Sequence, residues 1–119
     1  MEAPVIEGLW IVQYVGLSGS DAGIVVFVSG KVLGGDNGFV YTGNYTETEV
    51  GLSARIDVHN FNTSIANILN IKGDYSIQAD LEHQGDGTLQ GSASVVSESA
   101  VGMILKLTRY CGLDLSLLG

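Results

Sequence analysis

The stretch "VGLSARIDVH", Val50 to His59, decides how the rest of the chain is read. Val50, Leu52, Ala54, Ile56 and Val58 fall on one side of an extended backbone. Gly51, Ser53, Arg55, Asp57 and His59 fall on the other. Side chains alternate across a strand with a period of two, so this segment is a strand with one face in a core and one in water. One-sided strands of this kind belong to antiparallel sheets.

The same alternation runs outward from it. Tyr75, Ile77, Ala79 and Leu81 alternate with Ser76, Gln78, Asp80 and Glu82, and Leu89, Gly91, Ala93 and Val95 with Thr88, Gln90, Ser92 and Ser94. Val101, Met103, Leu105 and Leu107 close the series. Between them lie Ser18 to Gly23, Ser29-Gly30-Lys31, Gly34 to Gly38 and Gln84-Gly85-Asp86-Gly87, which carry the residue types that hairpins require. The pattern predicts eight strands over 8–16, 23–29, 31–34, 39–46, 49–59, 73–83, 88–97 and 101–110. Short links make an up-and-down meander, and a meander of long strands removes its exposed edges by closing into a barrel. One segment departs from the rhythm. In "NFNTSIANILN", Asn60 to Asn70, Ile65, Ile68 and Leu69 stand at helical spacing behind Thr63 or Ser64 as N-cap, which predicts a short helical segment across one barrel end.

Composition agrees with a single all-β domain spanning 1–119. Seventeen glycines against one proline suit a turn-rich sheet protein. The net charge of −8, with Lys31, Arg55, Lys72, Lys106 and Arg109 scattered as the only basic residues, argues against direct nucleic-acid binding. Cys111 is the only cysteine, which excludes an internal disulfide framework and multi-cysteine zinc sites. The opening MEAPVIEG has neither a basic n-region nor an apolar h-region, and the apolar runs are too short to span a bilayer. The expectation is a cytoplasmic protein that does not enter the membrane.

Residues with chemistry are scarce. His59 and His83 lack metal-ligand partners at useful spacing, no serine occupies a nucleophile elbow, and no glycine-rich loop leads from a strand into a helix. No catalytic residue, metal site or cofactor is expected. Gly34-Gly35-Asp36 makes sense as a turn, with glycines free to adopt positive φ and Asp36 bonding the following amides. Phe39, Tyr41, Gly43 and Tyr45 share a strand face, where the glycine lets the sheet bend or a neighbour pack close, and the aromatics fill the bend.

Two strands are apolar on both faces: Leu9 to Val12 and Ile24 to Val28. Either the chain's own tail, Leu113 to Leu118, covers the outer residues, or Leu9, Ile11, Ile24, Val26 and Val28 form a self-association face.

Gly8-Leu9-Trp10 on the first strand and Arg109 on the last resemble the lipocalin-like, or calycin, pattern, in which a first-strand G-x-W indole is covered by a basic side chain from the last strand. The stretches "GIVVFVSGKVLGGDNGFVYTGNY", "TETE" and "VHNFNTSIANILNIKGDYSI" resemble the GrlR family, negative regulators of a bacterial type III secretion locus. The resemblance runs over residues 6 to 110, and its marks are Gly34-Gly35-Asp36, Tyr41-x-Gly43, Asn70-Ile71 and Asp74-Tyr75. It implies a lipocalin-like homodimer without enzymatic activity that binds a transcription activator and keeps it from DNA. In that family a surface loop of four acids matters for the partner. The matching positions here read Glu47-Thr48-Glu49-Val50, so Glu47 and Glu49 are the candidate contacts for a basic regulatory protein. The alternative, from another class, is a carrier or sensor of a small apolar ligand inside the barrel.

Overall fold

A computed structural model describes residues 5–113 apart from positions 17, 67, 70 and 72. Eight antiparallel strands follow in chain order: β1 (Gly8–Gly16), β2 (Gly19–Val28), β3 (Lys31–Gly35), β4 (Phe39–Glu47), β5 (Gly51–Asn60), β6 (Tyr75–His83), β7 (Thr88–Val95) and β8 (Glu98–Cys111). Each pairs with its neighbour, and β8 pairs with β1, so the barrel is closed and the expected all-β, up-and-down architecture is present. Closure leaves no edge strand to seek a partner.

The turns follow local chemistry. Ser29 and Gly30 both take positive φ between the paired residues Val28 and Lys31, which is the two-residue hairpin geometry that matches strand twist. Several boundaries depart from expectation by one to four residues, three of them for a plain local reason. Ser20 to Gly23 belong to β2 rather than to a turn, because Gly16 pairs directly with Gly19 and the hairpin is tighter than the Ser-Gly-Asp composition implies. β8 begins at Glu98, since Val96 and Ser97 alone make the β7–β8 turn. Val50 does not begin the inward set of β5. It lies in the β4–β5 turn at 56% exposure, where Thr48 bonds Gly51 through both its backbone N–H and its hydroxyl oxygen.

The predicted helix within 60–70 is not formed among the described residues there. Ile65, Ile68 and Leu69 are used in tertiary contact instead. A Cβ on Gly38 would meet Ile65, and one on Gly16 would meet Ile68 and Leu69. Their spacing reflects where β1 and the β3–β4 turn offer bare backbone, and no helix face is needed to explain it. Asn62 caps this turn by accepting bonds from the backbone N–H and hydroxyl of Ser64.

Inside, Trp10, Phe27, Val32, Leu52, Leu89 and Val95 are the largest of the fully buried side chains. Trp10 meets Phe27 edge-on at 6.0 Å, and Phe27 meets Tyr45 at 5.1 Å. This aromatic column fills the half of the barrel nearest Gly8, the geometry that aromatic rings prefer.

Candidate functional site

The barrel has two ends of different character. At one, here called the seam end, lie the start of β1, the end of β8 and the β4–β5 turn. At the other, the lid end, the described residues between 61 and 74 lie across the mouth, held by the Ser18 N–H donating to the Ile68 carbonyl and by the Phe61 N–H donating to the Gly38 carbonyl.

At the seam end Trp10 and Arg109, the two positions of the calycin-like pattern, are direct cross-strand partners. The indole N–H donates to the Ile6 carbonyl at 2.8 Å, and the Arg109 Nη2 donates to the Glu7 carbonyl at 2.9 Å. A register shift between Leu9 and Trp10 makes room for this. Gly8 is glycine because a Cβ would fall 2.6 Å from the Cys111 carbonyl and within 3.2 Å of the guanidinium, on a backbone with φ of 152°. Glu47 and Glu49 are exposed at the same end. The structure adds Glu7 to them. Glu7 and Glu47 border one shallow depression with Tyr45, and Glu7 accepts the Ser29 N–H at 2.7 Å. No local pattern in the sequence links Glu7 to the β4–β5 turn. The nearest lysine in the hairpin, Lys31, donates to Asn44 rather than to an acid.

At the lid end Asp36 organises the site. Its Oδ1 accepts the N–H groups of Gly38 at 2.9 Å and Phe39 at 3.0 Å, the turn role expected of it. Its Oδ2 accepts short hydrogen bonds from the hydroxyls of both Tyr14 and Tyr41, whose oxygens lie 3.1 Å apart. All four lone-pair sites of the carboxylate are therefore occupied. Burial first, and then the Asp36 hydrogen bond, push both phenols well above their ordinary value. Burial, followed by the Asp36 charge, raises Tyr75 to about 12. Tyr14 was not singled out from sequence, since its partner lies two strands away and only the barrel brings them together.

Gly34 and Gly35 need correction in their role. Neither has positive φ. Gly34 is required by close approach, because its Cβ would stand 2.0 Å from the Ile24 carbonyl, and Gly43 meets the Arg55 carbonyl in the same way. Both let adjacent strands curve past each other, as at a barrel corner.

Below the Tyr14–Asp36–Tyr41 cluster the interior is not filled. A cavity of about 70 Å³ remains, lined by apolar side chains including Val12, Val25, Ile56, Val58, Ile77 and Leu105. Phe39, Tyr41 and Tyr75 border this space.

The outward apolar residues of β1 and β2 form two cross-strand rows. Leu9 pairs with Val26, which pairs with Leu33; Ile11 pairs with Ile24, which pairs with Gly35 and, beyond it, Val40. Ile11, Ile24, Leu33 and Val40 are all more than a third exposed, and neither row contains a charge. Val28, also assigned to this face, is half-buried beside Lys31. Positions 114–118 of the tail offered as a cover lie outside the described residues, as does Asn70, and Leu113 itself is exposed. No protein-family model matches the chain, and no curated protein matches it.

Proposed function

We propose that this barrel is a non-enzymatic, homodimeric binding protein of the bacterial cytoplasm that regulates by contact with a basic protein, as the resemblance to the GrlR family implies. The observation that carries the reading is the charge-free pair of rows on the outer face of β1 to β4, Leu9–Val26–Leu33 and Ile11–Ile24–Gly35–Val40. Large exposed apolar patches of this kind mark association surfaces. The face is chemically uniform, so a second copy of the chain is its natural complement, and a stable dimer buries roughly 1,200 Å² or more in total. Glu47 and Glu49, joined by Glu7, supply the acidic surface for the basic partner, where rim charges chiefly set the encounter rate.

Sedimentation equilibrium at micromolar concentration tests the dimer. The expected species is twice the 12.5 kDa chain, and Ile24→Lys with Leu33→Lys returns it to monomer without changing the far-ultraviolet circular dichroism. A single 12.5 kDa species from the unaltered protein refutes the reading.

The cavity under the lid favours a second reading, a carrier or sensor of a small ligand. Native mass spectrometry that finds no retained molecule, together with no response to any small amphiphile, removes it.

A further inference from the structure

The lid-end cavity has a consistent electrostatic sign. Its lining carries two carboxylates, Asp21 and Asp36, and three phenols, Tyr14, Tyr41 and Tyr75. Among the described residues it carries no lysine, arginine or histidine. Tyr14 and Tyr41 spend their protons on Asp36, and their hydroxyl oxygens, 3.1 Å apart, keep only acceptor capacity toward a guest. Asp36 has no free lone pair, but its negative charge is not neutralised by any of its four donors. Asp21 stands directly opposite Tyr14 across the β1–β2 pair, exposed at the rim, with one oxygen accepting the Ala22 N–H and the other bonded to none of the described residues. A guest must therefore supply donors and accept a negative field, while most of its body meets hydrocarbon.

We propose that the cavity binds a small aliphatic ammonium ion, its apolar body against Val12, Val25, Ile56 and Leu105 and its charged head between Asp21 and the Tyr14 hydroxyl. This rests on the ligand-carrier reading and narrows it to one class. The size fits a compact molecule, since about 70 Å³ accommodates about five water-sized groups. Tyr41 and Tyr75 also line the cavity, and aromatic rings are compatible with a cationic guest. A carboxylate-bearing guest of the same shape is excluded by the two acids and by the lack of a donor to receive it.

The test uses the full chain in an NMR titration at pH 7 and low salt, with isobutylamine, its neutral isostere isobutanol, and isobutyrate as probes. The amine is expected to shift the amides of Tyr14, Asp21 and Tyr41 in a saturable way and to bind about threefold or more tighter than the alcohol, the scale of a rim charge pair. Isobutyrate is expected to give no saturable shift. Asp21→Asn, an exposed change, is expected to bring the amine down to the alcohol's affinity and leave the alcohol unchanged. Equal binding of amine and alcohol, preference for isobutyrate, or an unaltered amine affinity in Asp21→Asn overturns the ammonium assignment while leaving the ligand cavity standing. Failure of all three probes overturns both.

Discussion

Arg109 and Trp10 stand directly opposite each other on the two strands that close the barrel. Each side chain gives a hydrogen to a backbone carbonyl of the same short segment, Trp10 to Ile6 and Arg109 to Glu7. The seam is thus fastened twice to the residues that lead into β1. The Arg109 Nε is buried without a partner among the described residues, and the guanidinium packs closely over Gly8.

Arg109→Ala is expected to cost about 1–2 kcal/mol in urea unfolding, the loss of one charged hydrogen bond and its packing. Gly8→Ala is expected to cost more, about 1–3 kcal/mol from backbone strain alone before the contact with the Cys111 carbonyl is counted. A Gly8→Ala protein as stable as the parent would show that the seam can relax around a methyl group.

Asp36→Ala leaves two phenols and two backbone amides without their acceptor, so it is expected to destabilise by several kcal/mol. Tyr14→Phe removes a single bond and is expected to cost about 1 kcal/mol. Thermal unfolding of the two variants checks the ordering, which a merely decorative cluster would not produce.

The raised phenols give an alkaline limit. An unfolded phenol titrates near its ordinary value of 10.0, whereas Tyr75 holds its proton to about 12 and Tyr14 and Tyr41 are pushed further in the same direction. The folded state binds these protons more tightly, so the stability they contribute is complete below pH 10 and erodes as pH rises through the folded values. Spectrophotometric titration is expected to find these three tyrosines silent at pH 11 in the native protein and released together on unfolding. Ordinary titration of all five tyrosines would contradict it.

The His59–Asp74 pair fastens the far end of the lid segment. Asp74 Oδ2 lies 2.8 Å from His59 Nδ1, and its Oδ1 accepts the Asn60 N–H. The His59 hydrogen bond, then the Asn60 amide, lowers the Asp74 pKa below its ordinary value of 3.8. The folded value is depressed, so this contribution is present above that ordinary value and is lost as pH falls through the folded one. Asp74→Ala is expected to raise hydrogen exchange at the Asn60 amide while leaving the paired amides of β5 protected.

Strand count, order and the barrel were legible because alternation repeats across almost every segment and the hairpin residues punctuate it. The lid was not, because Ile65, Ile68 and Leu69 have the spacing of a helix face while their actual partners are Gly38 and Gly16, distant in sequence. Asp36 could be read as a turn residue from its neighbours. Its second role could not, since Tyr14 meets it only through the β1–β2–β3 registers. The close packing expected as one role of Gly43 is present against the Arg55 carbonyl, but Gly34 is fixed by the Ile24 carbonyl and not by torsional freedom, which composition alone does not distinguish.

The uneven distribution of aromatic residues turns the barrel into a molecule with two optical reporters. The single tryptophan is 2% exposed at the seam end, beside Phe27, away from the cavity. Its emission is expected to be that of an apolar indole and to change only when the seam opens. Tyr14, Tyr41 and Tyr75 surround the cavity, so their near-ultraviolet absorbance is expected to follow occupancy and lid contacts. One sample therefore gives independent signals from opposite ends. Coincident unfolding curves would mean that the barrel opens as one cooperative unit, and separated curves that the lid end loosens while the seam still holds.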